Sequence, residues 1–165
     1  MLISLTGFMG SGKSTVGRIL ADVLGCPFID LDEAVVRQAG QSIPELFQAE
    51  GEAGFRRREK QALEQILKKY ASGTAVLSLG GGTVTIPEVV SLLRVNTLCI
   101  YLQASLETLE QRLDGKTEGR PLAGEGLAER LSQREPLYEA AAHITLPTDT
   151  LTPEETADEI ILTCL

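Results

Sequence analysis

The sequence contains no tryptophan and only 4% aromatic residues over 165 positions. That excludes a core of stacked rings and leaves Leu, Val, Ile and Ala, the usual filling between helices and a buried parallel sheet. At 43% apolar residues the chain can bury such a core without staples. Cysteine is scarce. Cys26, Cys99 and Cys164 form an odd, widely spaced set with no CxxC pair, which argues against a disulfide framework or a zinc site and for a reducing cytosol. Cys26 and Cys99 read as small core residues. The one histidine, His143, opens a strand candidate and is assigned no role. No apolar run reaches the ~18 residues needed to cross a bilayer. The opening MLISLTGF has no basic stretch and reads as a first strand, not a secretion signal. A cytoplasmic monomer with no membrane partner is expected. Basic residues are in deficit as well: 15 Lys and Arg stand against 23 Asp and Glu, a net charge of −8. This balance excludes a duplex nucleic-acid footprint. It does not exclude a small buried anion, because exposed charges are screened beyond about 8 Å at physiological salt.

What is present is an alternation of short β-rich runs with longer amphipathic stretches, over a length that suits one domain. Strands are predicted at 2–6, 28–30, 75–79, 97–102 and 143–146. Helices are predicted at 13–24, 33–39, 52–71, 87–93, 106–113, 127–141 and 153–162. Ser42 with Glu45, Thr85 with Glu88 and Thr152 with Glu155 carry the spacing of reciprocal helix caps, the last with Pro153 at the first helical position. Strands that are apolar throughout, alternating with helices, predict a three-layer α/β domain around a parallel sheet. Residues 114–126, DGKTEGRPLAGEG, are rich in Gly and charge and too long for a tight connection. They are expected to form a mobile lid.

Gly7-Phe8-Met9-Gly10-Ser11-Gly12-Lys13-Ser14 matches the phosphate-loop pattern, and Thr15 follows. An apolar strand precedes it and an amphipathic helix follows, the context the motif requires. Glycines let the backbone curl so that successive N–H groups face phosphate oxygens. Gly10, Ser11, Gly12, Lys13, Ser14 and Thr15 are therefore expected to hold a nucleotide. Lys13 supplies charge to the β and γ oxygens, and the Ser14 hydroxyl is the expected Mg²⁺ ligand. There is no NKxD to read guanine, and the apolar run at 75–79 ends in glycines instead of the Asp of a motor ATPase. Small-molecule kinases remain.

The acceptor side starts at Phe28-Ile29-Asp30-Leu31-Asp32-Glu33. On an extended segment Asp30 and Asp32 face the same way, at the strand end where open α/β sheets bind ligands. One acid can steady the Mg²⁺ while the other accepts a substrate hydroxyl and its proton. Both also read as caps of the following helix. Arg56 lies beside the apolar stripe Phe55, Ala62, Leu63, Ile66, Leu67 and Tyr70, so it can reach into a cleft, whereas Arg57 and Arg58 read as solvated. Gly80-Gly81-Gly82 after a strand indicates either a close backbone approach or a tight turn. Arg120, in the lid candidate, can neutralise charge on the transferring phosphate while water is kept out. Arg134 follows on the next helix.

In their order, GFMGSGKSTVGRILA, FIDLDE, the Gly51-Glu52 … Phe55-Arg56 … Glu59 pattern, SLGGG, RPL and Arg134 … Pro136-Leu137-Tyr138 resemble the shikimate kinase family over nearly the whole chain. The resemblance implies a P-loop NTPase fold with a central five-stranded parallel sheet, helices on both faces and a mobile lid. It also implies ATP and Mg²⁺ at the phosphate loop and phosphorylation of the 3-hydroxyl of shikimate. By position it implies that Asp30 lies near the metal and that Asp32 holds the reacting hydroxyl. Arg56 and Arg134 match the grip on the shikimate carboxylate, and Gly81 a backbone contact to it. Arg120 matches the lid arginine and Arg112, more loosely, a residue that stacks on adenine. Two arginines and an acceptor suit a ligand with a carboxylate at one end and hydroxyls at the other. Ala123 departs from the family, where a second Leu is frequent. A related small-molecule kinase, such as a gluconate kinase, and a nucleotide-binding module without catalysis are the competing expectations.

Overall fold

Strand β1 (Leu2–Thr6) is buried at every position, which is why its sequence reads as apolar without alternation. It is the central strand of a parallel sheet in the computed structural model, which describes residues 1–113 and 126–165. The remaining strands are β2 (Phe28–Asp30), β3 (Ala75–Ser78), β4 (Leu98–Gln103) and β5 (Ile144–Pro147), and the order across the sheet is β2-β3-β1-β4-β5. Leu5 pairs with Ser78 of β3 and with Ile100 of β4. The loops after β1 and β3 therefore emerge side by side at the carboxyl edge, where the chain changes direction across the sheet.

Side-chain alternation in the strands divides the core into two layers. Ile3, Leu5, Val76, Ile100 and Leu102 pack on one face under helices α1 (Lys13–Leu24) and α7 (Pro153–Cys164). On the other face Leu2, Ala75, Leu77, Cys99 and Tyr101 pack under α3 (Ile43–Lys69), α4 (Val89–Asn96) and α6 (Leu127–Ala141). Helix α2 (Leu31–Ala39) packs on α3, and α5 (Leu106–Leu113) follows β4. The expected three-layer architecture is present, with the strands within one residue of their predicted bounds. No helix among the described residues is long and apolar enough to cross a membrane.

Helix starts depart from expectation where a cap competes with a pattern. Helix α3 begins at Ile43, ahead of the predicted residue 52, because the Ser42 hydroxyl accepts from Glu45 N at 3.3 Å. It is broken at Gly51 (φ 70°, ψ −178°), a conformation open essentially only to glycine. Thr152 and Glu155 form the reciprocal cap on α7. Thr85 and Glu88 do not form one. Thr85 spends its hydroxyl on the Gly82 carbonyl at 2.6 Å, Pro87 keeps Ile86 extended, and α4 starts only after Glu88, itself at φ 75°. Cys99 is buried as expected, but Cys26 is half-exposed at the rim of the α1 layer. The lid expectation at 114–126, with Arg120, falls outside the described residues except for Gly126, which precedes α6.

Candidate active site

Between β1 and α1 the chain runs through Gly7, Gly10 and Gly12 at φ 151°, 84° and 93°. A Cβ on Gly7 would also stand 2.7 Å from the Leu102 carbonyl oxygen, so this turn is closed to other residues. Helix α1 opens after Gly12 with no side-chain cap, which leaves its first N–H groups for an anion. Lys13 is buried and donates from Nζ to the carbonyls of Gly7 at 2.9 Å and Phe8 at 3.0 Å, folded over its own loop. The Ser14 hydroxyl donates to Asp30 Oδ2 at 2.9 Å and lies 3.2 Å from the Ser78 hydroxyl at the end of β3.

Asp30 serves two purposes at once. Its other oxygen, Oδ1, accepts from Asp32 N at 2.9 Å and Glu33 N at 3.2 Å and caps α2. The helix therefore starts at Leu31, two residues earlier than predicted, and Asp32 sits in its first turn. The strand-alternation argument that aligned the two acids does not apply; helix geometry brings Asp32 to the site instead. Asp32 is pushed up to about 6, first by burial and then by the neighbouring carboxylates of Glu59 and Asp30, with Lys13 and Arg56 pulling the other way.

Glu59 is wholly buried and accepts from Arg56 Nη1 at 2.8 Å and from the Thr83 hydroxyl at 3.0 Å. Burial raises its pKa against the pull of Arg56. The triple glycine is explained by side-chain crowding; none of the three has the left-handed backbone of a glycine-only turn. A Cβ on Gly80 would meet Glu59 Oε2 at 2.8 Å and Asp32 Oδ1 at 3.2 Å, and one on Gly82 would meet Arg56 Nη2 at 2.2 Å. These glycines make room for the acids and the guanidinium.

Lys13, Ser14, Asp30, Asp32, Arg56, Glu59 and the triple glycine line one cavity of about 520 Å³. Every expected site residue among those described borders it: the loop from Gly10 to Thr15, Asp30 and Asp32, Arg56, Gly81, Arg112 and Arg134. Arg120 lies outside the described residues. At the end away from Arg56, Arg112 donates to the Thr148 carbonyl at 2.9 Å. Arg134 is buried, with its Cζ 5.7 Å from the Phe8 ring centre.

A family model described as shikimate kinase matches residues 9–165. The chain belongs to the shikimate kinase family. A shikimate kinase of Enterococcus faecalis is 43% identical, covering 96% of this chain and 95% of its own, and one of Chlorobium chlorochromatii is 42% identical over 96% and 88%. The solved shikimate kinase from Acinetobacter baumannii, in complex with shikimate, is 36% identical with a TM-score of 0.88, covering 97% of this chain and 90% of that one. Like the family, this chain is an ATP-dependent kinase of the shikimate pathway. Sequence reasoning left Glu59, Ser78 and Tyr138 without roles. Glu59 stands three residues after Arg56, the spacing of a helix ion pair, and that was the signal available for it. Ser78 and Tyr138 announce themselves only through contacts between distant segments.

Proposed function

We propose that this chain transfers the γ-phosphate of ATP to the 3-hydroxyl of shikimate, with Mg²⁺, giving shikimate 3-phosphate and ADP. The observation that carries the reading is the meeting of the phosphate loop with Asp32, Arg56 and Arg134 around one cavity. Within it, Arg56 Nε is buried with no hydrogen-bond partner among the described residues. A buried donor left unsatisfied is costly, and a substrate carboxylate supplies the missing acceptor. Arg134 completes the grip, and the Gly81 backbone lies against the acceptor ring.

Asp32 accepts the hydrogen bond of the reacting hydroxyl and later its proton. A carboxyl near 6 is largely ionised at neutral pH and basic enough for that task. Lys13 exchanges the carbonyls of its own loop for phosphate oxygens, and the uncapped start of α1 adds backbone donors. Ser14 and Asp30, with Ser78 beside them, form an all-oxygen corner next to the loop. This suits a hard cation that takes few protein ligands and shares phosphate oxygens. Bound Mg²⁺ would neutralise charge on the transferring phosphoryl group. Arg112 sits at the adenine end. Arg120 joins the proposal on sequence grounds, as the cation that reaches the ATP phosphates. The same reading takes residues 1–165 as one kinase domain and a cytoplasmic monomer, with neither membrane nor nucleic acid as partner. The net charge of −8 and three free cysteines support it.

An ADP-release assay tests this directly. Release should require shikimate and Mg²⁺ together and should stay at background with gluconate. Absence of release with shikimate and Mg²⁺ would remove the proposal.

A further inference from the structure

Tyr138 is fully buried on α6, one helical turn beyond Arg134. Its hydroxyl donates to the carbonyl oxygen of Gly81, and Arg134, four residues before it on the same helix, presents its charge to the phenol. A phenol has one proton to donate, and here it goes to a backbone carbonyl at the acceptor end of the cavity. Tyr101 braces the ring, with centroids 5.1 Å apart and planes inclined by 33°. The hydroxyl therefore does not swing away without moving a packed pair. A Cβ on Gly81 would stand 3.2 Å from Met9 N and 3.7 Å from Arg134 Nη1. The phosphate loop and α6 thus meet at Gly81, whose carbonyl this hydroxyl holds.

We propose that Tyr138 is a positioning residue: its hydroxyl fixes the Gly81 backbone beside the Arg134 guanidinium and so sets the affinity for the acceptor. The inference rests on the reading that Gly81 and Arg134 hold the substrate. Tyr138 acts through the Gly81 backbone. Tyr138→Phe keeps the ring and its stacking on Tyr101 but leaves the Gly81 carbonyl without its donor. In a buried setting such a loss is expensive. It falls on the acceptor side, because the phenol's bond is made to Gly81.

The test is steady-state kinetics on the wild type, Tyr138→Phe and Tyr101→Phe, with melting curves alongside. Tyr138→Phe should raise the KM for shikimate about tenfold, leave the KM for ATP within about twofold and change kcat little. Tyr101→Phe, which keeps the stacked ring and leaves the Tyr138 hydroxyl in place, should leave both KM values near wild type. A wild-type KM for shikimate in Tyr138→Phe overturns the proposal, even if the variant melts earlier. Should Tyr138→Phe fail to fold, the wild type labelled at tyrosine Cζ keeps the question open to decision. The Tyr138 resonance, assigned with Tyr70→Phe and Tyr101→Phe, should shift on titration with shikimate and not with an ATP analogue; a signal indifferent to shikimate overturns the proposal. If the wild type itself releases no ADP with shikimate, the functional reading falls and this inference with it. Activity in the wild type with an unaltered Tyr138→Phe sinks the inference alone.

Discussion

Two carboxylates, Asp32 on the cavity lining and Asp149 on the surface beyond Thr148, are treated in opposite ways. At the acceptor end Asp32 is pushed up to about 6, because burial and the charges of Glu59 and Asp30 outweigh Lys13 and Arg56. Beside the nucleotide end, Asp149 is held down to about 2 by hydrogen bonds from Thr108 and from the backbone and hydroxyl of Ser105. One acid is crowded by like charge in a dry pocket, and the other is exposed and saturated with donors. The first arrangement raises basicity at a cost in stability; the second makes a structural pin with little basicity left for chemistry. The cations divide in the same way. Arg56 keeps a buried N–H in reserve, whereas Arg112 already donates to the Thr148 carbonyl and hydroxyl and toward Ser11 O.

The sharpest way to break this contrast is Asp32→Asn. It removes the proton acceptor and should lower kcat by roughly 10²- to 10⁴-fold while ATP still binds. In the unsubstituted enzyme kcat/KM for shikimate should fall as pH drops through about 6, because protonation of Asp32 removes the same acceptor. Near-normal turnover of the variant in a coupled assay would count against the role. The next largest effect is expected from Gly82→Ala. Gly82 has φ −106°, which alanine tolerates, so the substitution acts through space alone, pressing a Cβ to 2.2 Å from Arg56 Nη2. Displacing that guanidinium should raise the KM for shikimate roughly 10- to 100-fold, the worth of a charged hydrogen bond or more. An unchanged KM would show that Arg56 does not grip the carboxylate.

The contrast also marks what was legible in the sequence. Elements with strong local signals were readable: α1 behind the phosphate loop and the strands of a buried parallel sheet follow from apolar runs and glycine spacing. Asp30, Asp32, Arg56 and Arg134 were nameable as candidates chiefly because their positions match the family's motifs, and all four border the one cavity. The route by which Asp32 reaches the site was misread, since the Asp30 cap that starts α2 early is a contest between two local structures. Glu59, Ser78 and Tyr138 depend on the fold. Tyr138 meets Gly81 across 57 residues of sequence, and a hydroxyl with no local partner leaves no periodic trace. The triple glycine was ambiguous for the same reason, because only the structure shows Glu59 and Arg56 occupying the missing Cβ positions.

A smaller effect is expected on stability, and its sign separates the two carboxylates. A folded-state pKa raised from 3.8 to about 6 means that Asp32 binds its proton more tightly in the folded protein. Stability then falls as pH rises between those values, and neutral pH carries the full cost. Ligand-free Asp32→Asn should therefore melt higher than the wild type at pH 7, by up to about 3 kcal/mol, with the difference vanishing below pH 4. A variant that melts lower at pH 7 would show that Asp32 is stabilised as an anion.

Asp149→Ala should produce the smallest change and the opposite sign. With its pKa lowered from 3.8 to about 2, Asp149 contributes stability above the unfolded value and loses it as pH falls through the folded one. Its carboxylate accepts from Ser105 N at 2.9 Å and Ser105 Oγ at 2.7 Å, at the start of the helix whose last turn carries Arg112. Loss of that pin frees the amino end of α5, while Arg112 still holds Thr148 at the other. Asp149→Ala should accordingly melt slightly below the wild type at neutral pH and raise the KM for ATP a few-fold, with the KM for shikimate unmoved. A shift in the shikimate KM instead would mean that the two ends of the cavity are mechanically coupled and that their carboxylates do not work independently.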